Sequence, residues 1–314
     1  MKNLSVVGAG LMGHGIASVF ALGGYKVTLH DVSEVALTRA QELISEVFHT
    51  LAEAGVIDLQ GSTPKLQDRI ICTTNLATAA AQADLIVEAV TEDAAIKRSL
   101  FAELDACAPP TALWASNTSS PNIFDLLPVR RQAKSLIAHW YTPPYIVDLV
   151  DVVPGPGTEP EAVAAVKDLL ESLGKKPIVL SKFISGFIAN RLQAALNLEV
   201  FFLLDRGYAT PEQIDQAVKS GLGLRMPLLG VLRKADYSGL ELIQQLLANK
   251  TYEPPHGLER SRTLDDLIDI GRTGVMAGKG FFDYGGRSAG ALFRERDLKL
   301  LALQKFLVQL GDIE

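Results

Sequence analysis

A chain of 314 residues, 48% of them hydrophobic, is long enough for two domains with full cores and has an ordinary globular composition. Its net charge of −6, without long runs of Lys or Arg, argues against a nucleic-acid or anionic-membrane surface. No run of about 18 apolar residues predicts a membrane span, a strand starting at residue 3 leaves no room for a leader after Met1, and Cys72 and Cys107 suggest neither a disulfide framework nor a metal site, so a metal-free cytoplasmic protein is expected.

The chain opens on an apolar strand, LSVV, that runs into Gly8-Ala9-Gly10-Leu11-Met12-Gly13. In this G-x-G-x-x-G pattern, Gly8 permits the tight turn, Gly10 lets a pyrophosphate approach the backbone around Leu11 and Met12, and Gly13 lets the following helix pack closely on the strand. That helix, with Ile16, Val19 and Phe20 on its apolar face, offers free N–H groups and a partial positive charge to the phosphates. A second strand from Lys26 to Leu29 leads to Asp31, at about the 20-residue offset of the acid that binds a ribose 2′-OH. Its charge repels the extra phosphate of NADP, so the pattern reads as NAD. The simpler alternative is a glycine-rich turn of some other α/β domain.

Val35 to Ala54 reads as a helix with Ala36, Ala40, Leu43, Val47 and Leu51 on one face, and residues 55–68 read as a loop. Strands are expected at Ile70–Thr73, Leu85–Ala89, Ala112–Ala115, Leu136–Ala138 and Leu149–Val153, then at Pro177–Leu180 after a helix from Glu161 to Leu173. This alternation predicts an α/β Rossmann-type domain over 1–183, with a doubly wound, mostly parallel sheet. From Gly186 onward the pattern is helical: Phe187–Arg206, Pro211–Ser220, Asp236–Ala248, Leu264–Gly271 and Leu292–Leu310. An all-α domain over 184–314 is therefore expected to close over the sheet's ligand-binding end. Asp205-Arg206-Gly207 suits a helix stop, and Thr210-Pro211-Glu212 a helix start.

Three sets of polar residues fall at the ends of elements, where an open α/β sheet binds its ligands. Ser116-Asn117-Thr118-Ser119-Ser120 follows a strand; these residues suit a helix cap, or hydrogen bonds to a substrate or to the nicotinamide ribose. His139 ends the next strand before Pro143-Pro144, and Asp151 is a single acid in the apolar strand LVDVV. A buried carboxylate needs a partner, and His139 is the economical candidate: a carboxylate on one imidazole nitrogen supports the cation formed when the other takes a substrate hydroxyl proton. Asn190, a polar residue on an apolar helix face, suits the cleft or an interhelical bond.

Together these residues resemble the L-3-hydroxyacyl-CoA dehydrogenase superfamily, which includes relatives acting on free 3-hydroxy acids such as L-gulonate 3-dehydrogenase and carnitine dehydrogenase. The resemblance runs through VVGAGLMGHGIA, VEAVTEDAAIKRSLF, SNTSS, the histidine before a Pro-containing turn, LVDVV, GFIANR, ADYSGL and GVMAGKGFFDY. It implies NAD-dependent oxidation of a 3-hydroxy compound, with His139 as general base, Ser119 and Asn190 on the substrate, and Glu92, Lys97 and Asn117 near the cofactor.

Two residues depart from the family pattern. Asp151 replaces its glutamate, one methylene shorter, and Thr142 replaces the asparagine three residues after the histidine. The helix segment that meets the ADP part of coenzyme A in acyl-CoA members is here Glu42-Leu43-Ile44-Ser45-Glu46-Val47-Phe48-His49, without Lys or Arg. A free 3-hydroxy acid is therefore favoured over a CoA thioester, with Arg191 and Arg225 as candidates for its carboxylate. A CoA-dependent dehydrogenase and a non-catalytic, crystallin-like NAD-binding protein are the alternatives. Phe201-Phe202-Leu203-Leu204 makes its helix apolar on more than one face, which predicts a homodimer.

Overall fold

The computed structural model describes residues 1–58, 66–249, 255, 257 and 259–311. Among these the chain divides into two compact units, Met1–Ala189 and Asn190–Glu314.

The first unit is built on one eight-stranded sheet. Its strands are β1 (Asn3–Val7), β2 (Lys26–His30), β3 (Ile70–Thr73), β4 (Leu85–Glu88), β5 (Leu113–Ser116), β6 (Ser135–Trp140), β7 (Leu149–Pro154) and β8 (Lys176–Val179). They lie in the order β3-β2-β1-β4-β5-β6-β7-β8, all neighbours parallel except β6 and β7. The order reverses between β1 and β4, so the crevice beyond their carboxyl ends is the expected ligand position. Only the short link from Tyr141 to Asp148 joins β6 to β7, too short for the crossover that a parallel pair requires. That hairpin sets His139 directly opposite Asp151.

Helices α1 (Gly13–Leu22), α2 (Glu34–Glu53), α3 (Leu76–Ala80), α4 (Ala94–Cys107) and α5 (Pro160–Ser172) connect the strands. Side chains cap α2, α3 and α4: Ser33, Asn75 and Asp93 accept from first-turn amides. The buried stripe of α2 is Leu37, Ala40, Ile44, Val47, Phe48 and Leu51, a small rotation from the expected one because the large side chains Ile44 and Phe48 win the interior. The core beside β4 and β5 gathers Ile86, Phe101, Leu104, Trp114, Ile137 and Val153, with Phe101 stacked on Trp114 at 6.0 Å.

The second unit is helical. It contains α6 (Ala189–Asp205), α7 (Pro211–Ala217), α8 (Gly223–Leu229), α9 (Leu232–Ser238), α10 (Leu240–Asn249), α11 (Arg262–Asp269) and α12 (Ala289–Leu310), and its only extended pairings among the described residues are isolated bridges through Lys279. Helix α6 stops at Gly207, whose φ of +68° suits glycine, and Thr210 forms a capping box with Gln213. Asp205 caps α11 by accepting from Ser261 Oγ and the Thr263 amide, both at 2.8 Å.

Two expectations need correction here. The helix expected over Asp236–Ala248 is broken at Gly239, where φ is +89°, into α9 and α10. The helix expected over Pro211–Ser220 does not stop there but runs on through a π turn, Val218–Leu222, into α8. Of the loop expected over 55–68, residues 59–65 lie outside the described residues. No helix among the described residues is long and apolar enough to cross a membrane. Both cysteines are unpaired, and no cluster of potential metal ligands occurs among those residues.

Candidate active site

Glycine is required at two positions of the first loop. Gly8 has a φ of +104°, and a Cβ there would lie 2.5 Å from the Ala89 carbonyl oxygen; a Cβ on Gly13 would lie 1.7 Å from that of Gly8. Gly10 is different: a Cβ there would meet nothing within 4 Å, and Gly10 and Leu11 are exposed, Leu11 by 72%. The turn is thus closed on its protein side and open where a pyrophosphate would approach. Unlike α2, α3 and α4, α1 has no side-chain cap, its N-cap being Met12. Its first amides still need an acceptor, and a dinucleotide phosphate supplies one.

Asp31 is half-buried just past β2, with Oδ2 accepting from the Ala9 amide at 2.9 Å and Oδ1 from the Ser33 amide at 3.0 Å. The carboxylate that would meet the ribose is therefore fixed to the glycine loop itself. His14 directly follows Gly13, where spacing alone gives it no role. It is buried and donates its Nδ1–H to the Gly10 carbonyl at 2.9 Å, and burial lowers its pKa, leaving a neutral ring beneath the loop. These features fit NAD.

At the end of β4, Glu88 is 2% exposed and accepts from Lys97 Nζ at 2.7 Å, from the Val90 amide at 2.8 Å and from Ser116 Oγ on β5. Lys97, 1% exposed, also reaches Glu92 at 3.4 Å. Both contacts engage its ammonium beneath the 89–92 loop, so Lys97 shapes that loop through two carboxylates. Glu92 accepts from Thr118 Oγ1 at 2.7 Å and from the Ser119 amide at 2.5 Å. Burial alone would raise its pKa, but these bonds and Lys97 outweigh it and hold the carboxyl below its usual range. Asn117 Oδ1 accepts from the Trp140 amide at 2.8 Å, tying the SNTSS segment to the strand that carries His139. That segment is anchored at each of these residues rather than capping a helix.

His139 and Asp151 are buried, 4% and 0% exposed, and occupy one face of the β6–β7 pair. The hydrogen bond expected between them is not formed: His139 Nδ1 is 3.6 Å from Asp151 Oδ2, beyond bonding range. The reason is side-chain length, together with a competing donor, Tyr141. Tyr141 donates its hydroxyl to the same Oδ2 at 2.6 Å. Phe187, at a φ of +50°, packs its ring on the imidazole at a centroid distance of 5.0 Å. Strand alternation alone would have flagged Tyr141, two residues beyond His139 and hence on its face.

Thr142 links this pair to the cofactor loop, donating from Oγ1 to Met12 Sδ at 3.1 Å, and Pro144 packs where a Cβ on Gly15 would lie. Glycine loop, SNTSS segment and His139 strand end thus meet in the first unit. Asn190 and Arg191 begin α6, and Arg225 lies on α8 with Nε donating to the Gly221 carbonyl at 3.1 Å; all three belong to the second unit.

Two family models match the chain: the 3-hydroxyacyl-CoA dehydrogenase NAD binding domain over residues 3–183, and the C-terminal domain of the same family over 186–284. The chain is 30% identical to 5-formyl-3-hydroxy-2-methylpyridine 4-carboxylate 5-dehydrogenase of Mesorhizobium japonicum, over 98% of each chain. It is 32% identical to mitochondrial hydroxyacyl-coenzyme A dehydrogenase of Homo sapiens, over 90% of this chain and 91% of that one. A crystal structure of the pyridine-carboxylate dehydrogenase, described as an NAD+-dependent dismutase, matches with a TM-score of 0.87 at 28% identity, covering 98% of each chain. The glycine loop with its uncapped helix and these matches lead to one assignment: the chain belongs to the 3-hydroxyacyl-CoA dehydrogenase family and is an NAD-dependent oxidoreductase.

Proposed function

We propose that this enzyme oxidises a small free acid bearing a hydroxyl group, an L-3-hydroxy acid in the first instance, rather than a CoA thioester. The observation that carries the reaction type is the buried His139–Asp151 register pair at the end of β6, joined to the glycine loop through Thr142 and Met12. His139 takes the hydroxyl proton at Nε2, while Asp151 steadies the resulting imidazolium from the Nδ1 side. NAD, when bound, supplies the hydride acceptor. Ser119, fixed by Glu92, and Asn190 are assigned to the substrate's polar groups, with Thr142 near them; Arg191 and Arg225 are assigned to its carboxylate. Asn117 and Glu92 order the cofactor-facing segment.

Two observations support a free acid. Glu42, Glu46 and His49 are exposed along α2, where Arg39 is the only Lys or Arg. By its name, the pyridine-carboxylate relative acts on a free carboxylate that carries no coenzyme A. A homodimer formed through the second unit is the expected assembly, and unpaired cysteines suit the reducing cytoplasm. The test is NADH formation across a panel of free 3-hydroxy acids beside 3-hydroxybutyryl-CoA. Turnover of the thioester alone would return the enzyme to the acyl-CoA branch.

A further inference from the structure

We propose that Tyr141 is a positioning residue of the catalytic unit, sharing one carboxylate oxygen of Asp151 with His139 and so setting how strong a base His139 is. The proposal rests on the reading of His139 as general base. Tyr141 continues the strand alternation of His139, and its ring stands edge-on to the imidazole, with centroids 4.6 Å apart and planes at 80°. An aromatic side chain here reaches the diagonal cross-strand neighbour, Asp151. Its 2.6 Å hydrogen bond has the length of a charge-assisted O–H···O⁻ contact.

Asp151 is completely buried, and an ionised carboxylate there needs donors. Tyr141 supplies the one hydrogen bond that Asp151 accepts among the described residues, while Asp151 Oδ1 and His139 Nδ1 have no hydrogen-bond partner. The tyrosine therefore occupies the oxygen that a longer glutamate would offer to the histidine. By drawing charge from Oδ2 it weakens the support given to an imidazolium on Nδ1. Without the hydroxyl, the Nδ1–H of His139 becomes the available donor, the pair closes, and protonated His139 is favoured.

Asp151 is the only carboxylate within 4 Å of the His139 ring nitrogens among the described residues. Lys175 stands over the ring of Trp140, whose side chain takes the opposite face of β6, and Lys97 pairs with both Glu88 and Glu92. From the segment before α6 the imidazole meets the uncharged ring of Phe187.

The experiment is an NMR titration of the histidine rings, with the His139 signal assigned by its loss in His139→Gln. In Tyr141→Phe the His139 pKa should rise by about one unit or more, as expected when a neighbouring carboxylate loses its competing donor. Replacing the tyrosines with 3-fluorotyrosine, a more acidic phenol that donates more strongly, should move it down; this decides the matter even if Tyr141→Phe does not fold. A His139 pKa that is unmoved, or moves the other way, in either protein overturns the assignment of Tyr141. Turnover is measured separately: if His139→Gln keeps parental kcat, the reading of His139 as base falls, and this inference falls with it. Lost turnover with an unmoved titration removes Tyr141 alone.

Discussion

His139 and Asp151 face each other in register across β6 and β7, yet 3.6 Å separates Nδ1 from Oδ2. One added methylene extends a side chain by about 1.5 Å, more than this gap needs. Asp151→Glu is therefore expected to retain or raise kcat, provided the buried site repacks, which a melting curve checks. Asp151→Asn removes the charge that supports the imidazolium and should lower kcat nearly as much as His139→Gln, for which a loss of about 10²–10⁴-fold is expected. Stopped-flow measurement of NADH formation reads all three. If Asp151→Glu falls as far as Asp151→Asn, side-chain reach is not what limits the pair.

Much of this arrangement is legible in the sequence because parallel strands are short apolar runs with sharp ends: Ile70–Thr73 lies where the pattern places it, and β6 and β7 extend the expected runs by one to three residues. His139 and Asp151 are visible as isolated polar residues in such runs. Their separation is not, because a few tenths of an ångström depend on side-chain length and on Tyr141, a residue that reads as one more aromatic in HWYTPPY. Lys97 shares the i, i+4, i+7 face of Phe101 and Leu104, but only the fold shows it locked between Glu88 and Glu92. In the second unit, the break at Gly239 escapes periodicity because apolar spacing continues through it from α9 to α10.

Asp31 should set coenzyme choice. A strong preference for NAD over NADP is expected, and Asp31→Ala should narrow it at least tenfold, since a hydrogen bond to a charged group contributes about 1.5–3 kcal/mol. Because Asp31 also holds the Ala9 amide, the variant should bind NAD more weakly too. Equal kcat/KM for the two coenzymes in the parent enzyme would remove this reading.

Lys175 gives a pH signature of stability. It donates to the carbonyls of Pro144 and Val147 at 2.7 and 3.0 Å, and burial pushes its pKa down to about 8 despite Asp148 nearby. A lysine depressed in the folded state is charged at a cost below that pKa, and the unfolded chain holds the proton more tightly. Stability should therefore rise as pH increases from about 8 towards the unfolded lysine value of about 10.4. Urea unfolding of the parent and Lys175→Met over that window reads the effect. The parent-minus-variant difference should grow with pH, and a flat difference would place the Lys175 pKa at its ordinary value.

The second unit should mediate a two-fold dimer. Among its described hydrophobic side chains only Leu301, 5% exposed, is fully enclosed, while Leu224, Leu232, Leu247 and Ile270 are each about 70% exposed or more. So much uncovered apolar surface is unusual for a monomer, and isologous dimers are the commonest soluble assembly. Light scattering at micromolar concentration should give twice the 33.8 kDa chain mass. Monomeric mass would refute the dimer, and Leu232→Glu and Leu247→Glu would then have no effect on it.

Coenzyme A is where family membership and local chemistry diverge. If the exposed face of α2 meets the nucleotide part of the thioester as the family resemblance implies, a 3′-phospho-ADP group approaches Glu42 and Glu46. Arg39, nearly a full turn earlier, is the single cation of the helix. Phosphates are ordinarily held by Arg, Lys or helix N-termini, so this face repels rather than binds them. 3-Hydroxybutyryl-CoA should accordingly show a high KM that worsens at low ionic strength, where the screening length grows from about 8 Å at physiological salt to about 30 Å at 0.01 M. On the proposed assignment of Arg191 and Arg225 to its carboxylate, a free acid should behave oppositely, because salt weakens such an attraction. Measuring KM for matched free acid and thioester at two ionic strengths separates the cases, and Glu42→Lys with Glu46→Lys adds an internal control: it should lower KM for the thioester and leave that for the acid unchanged. A low-micromolar KM for the thioester in the parent, insensitive to both salt and these substitutions, would show that the acidic face of α2 takes no part in substrate choice.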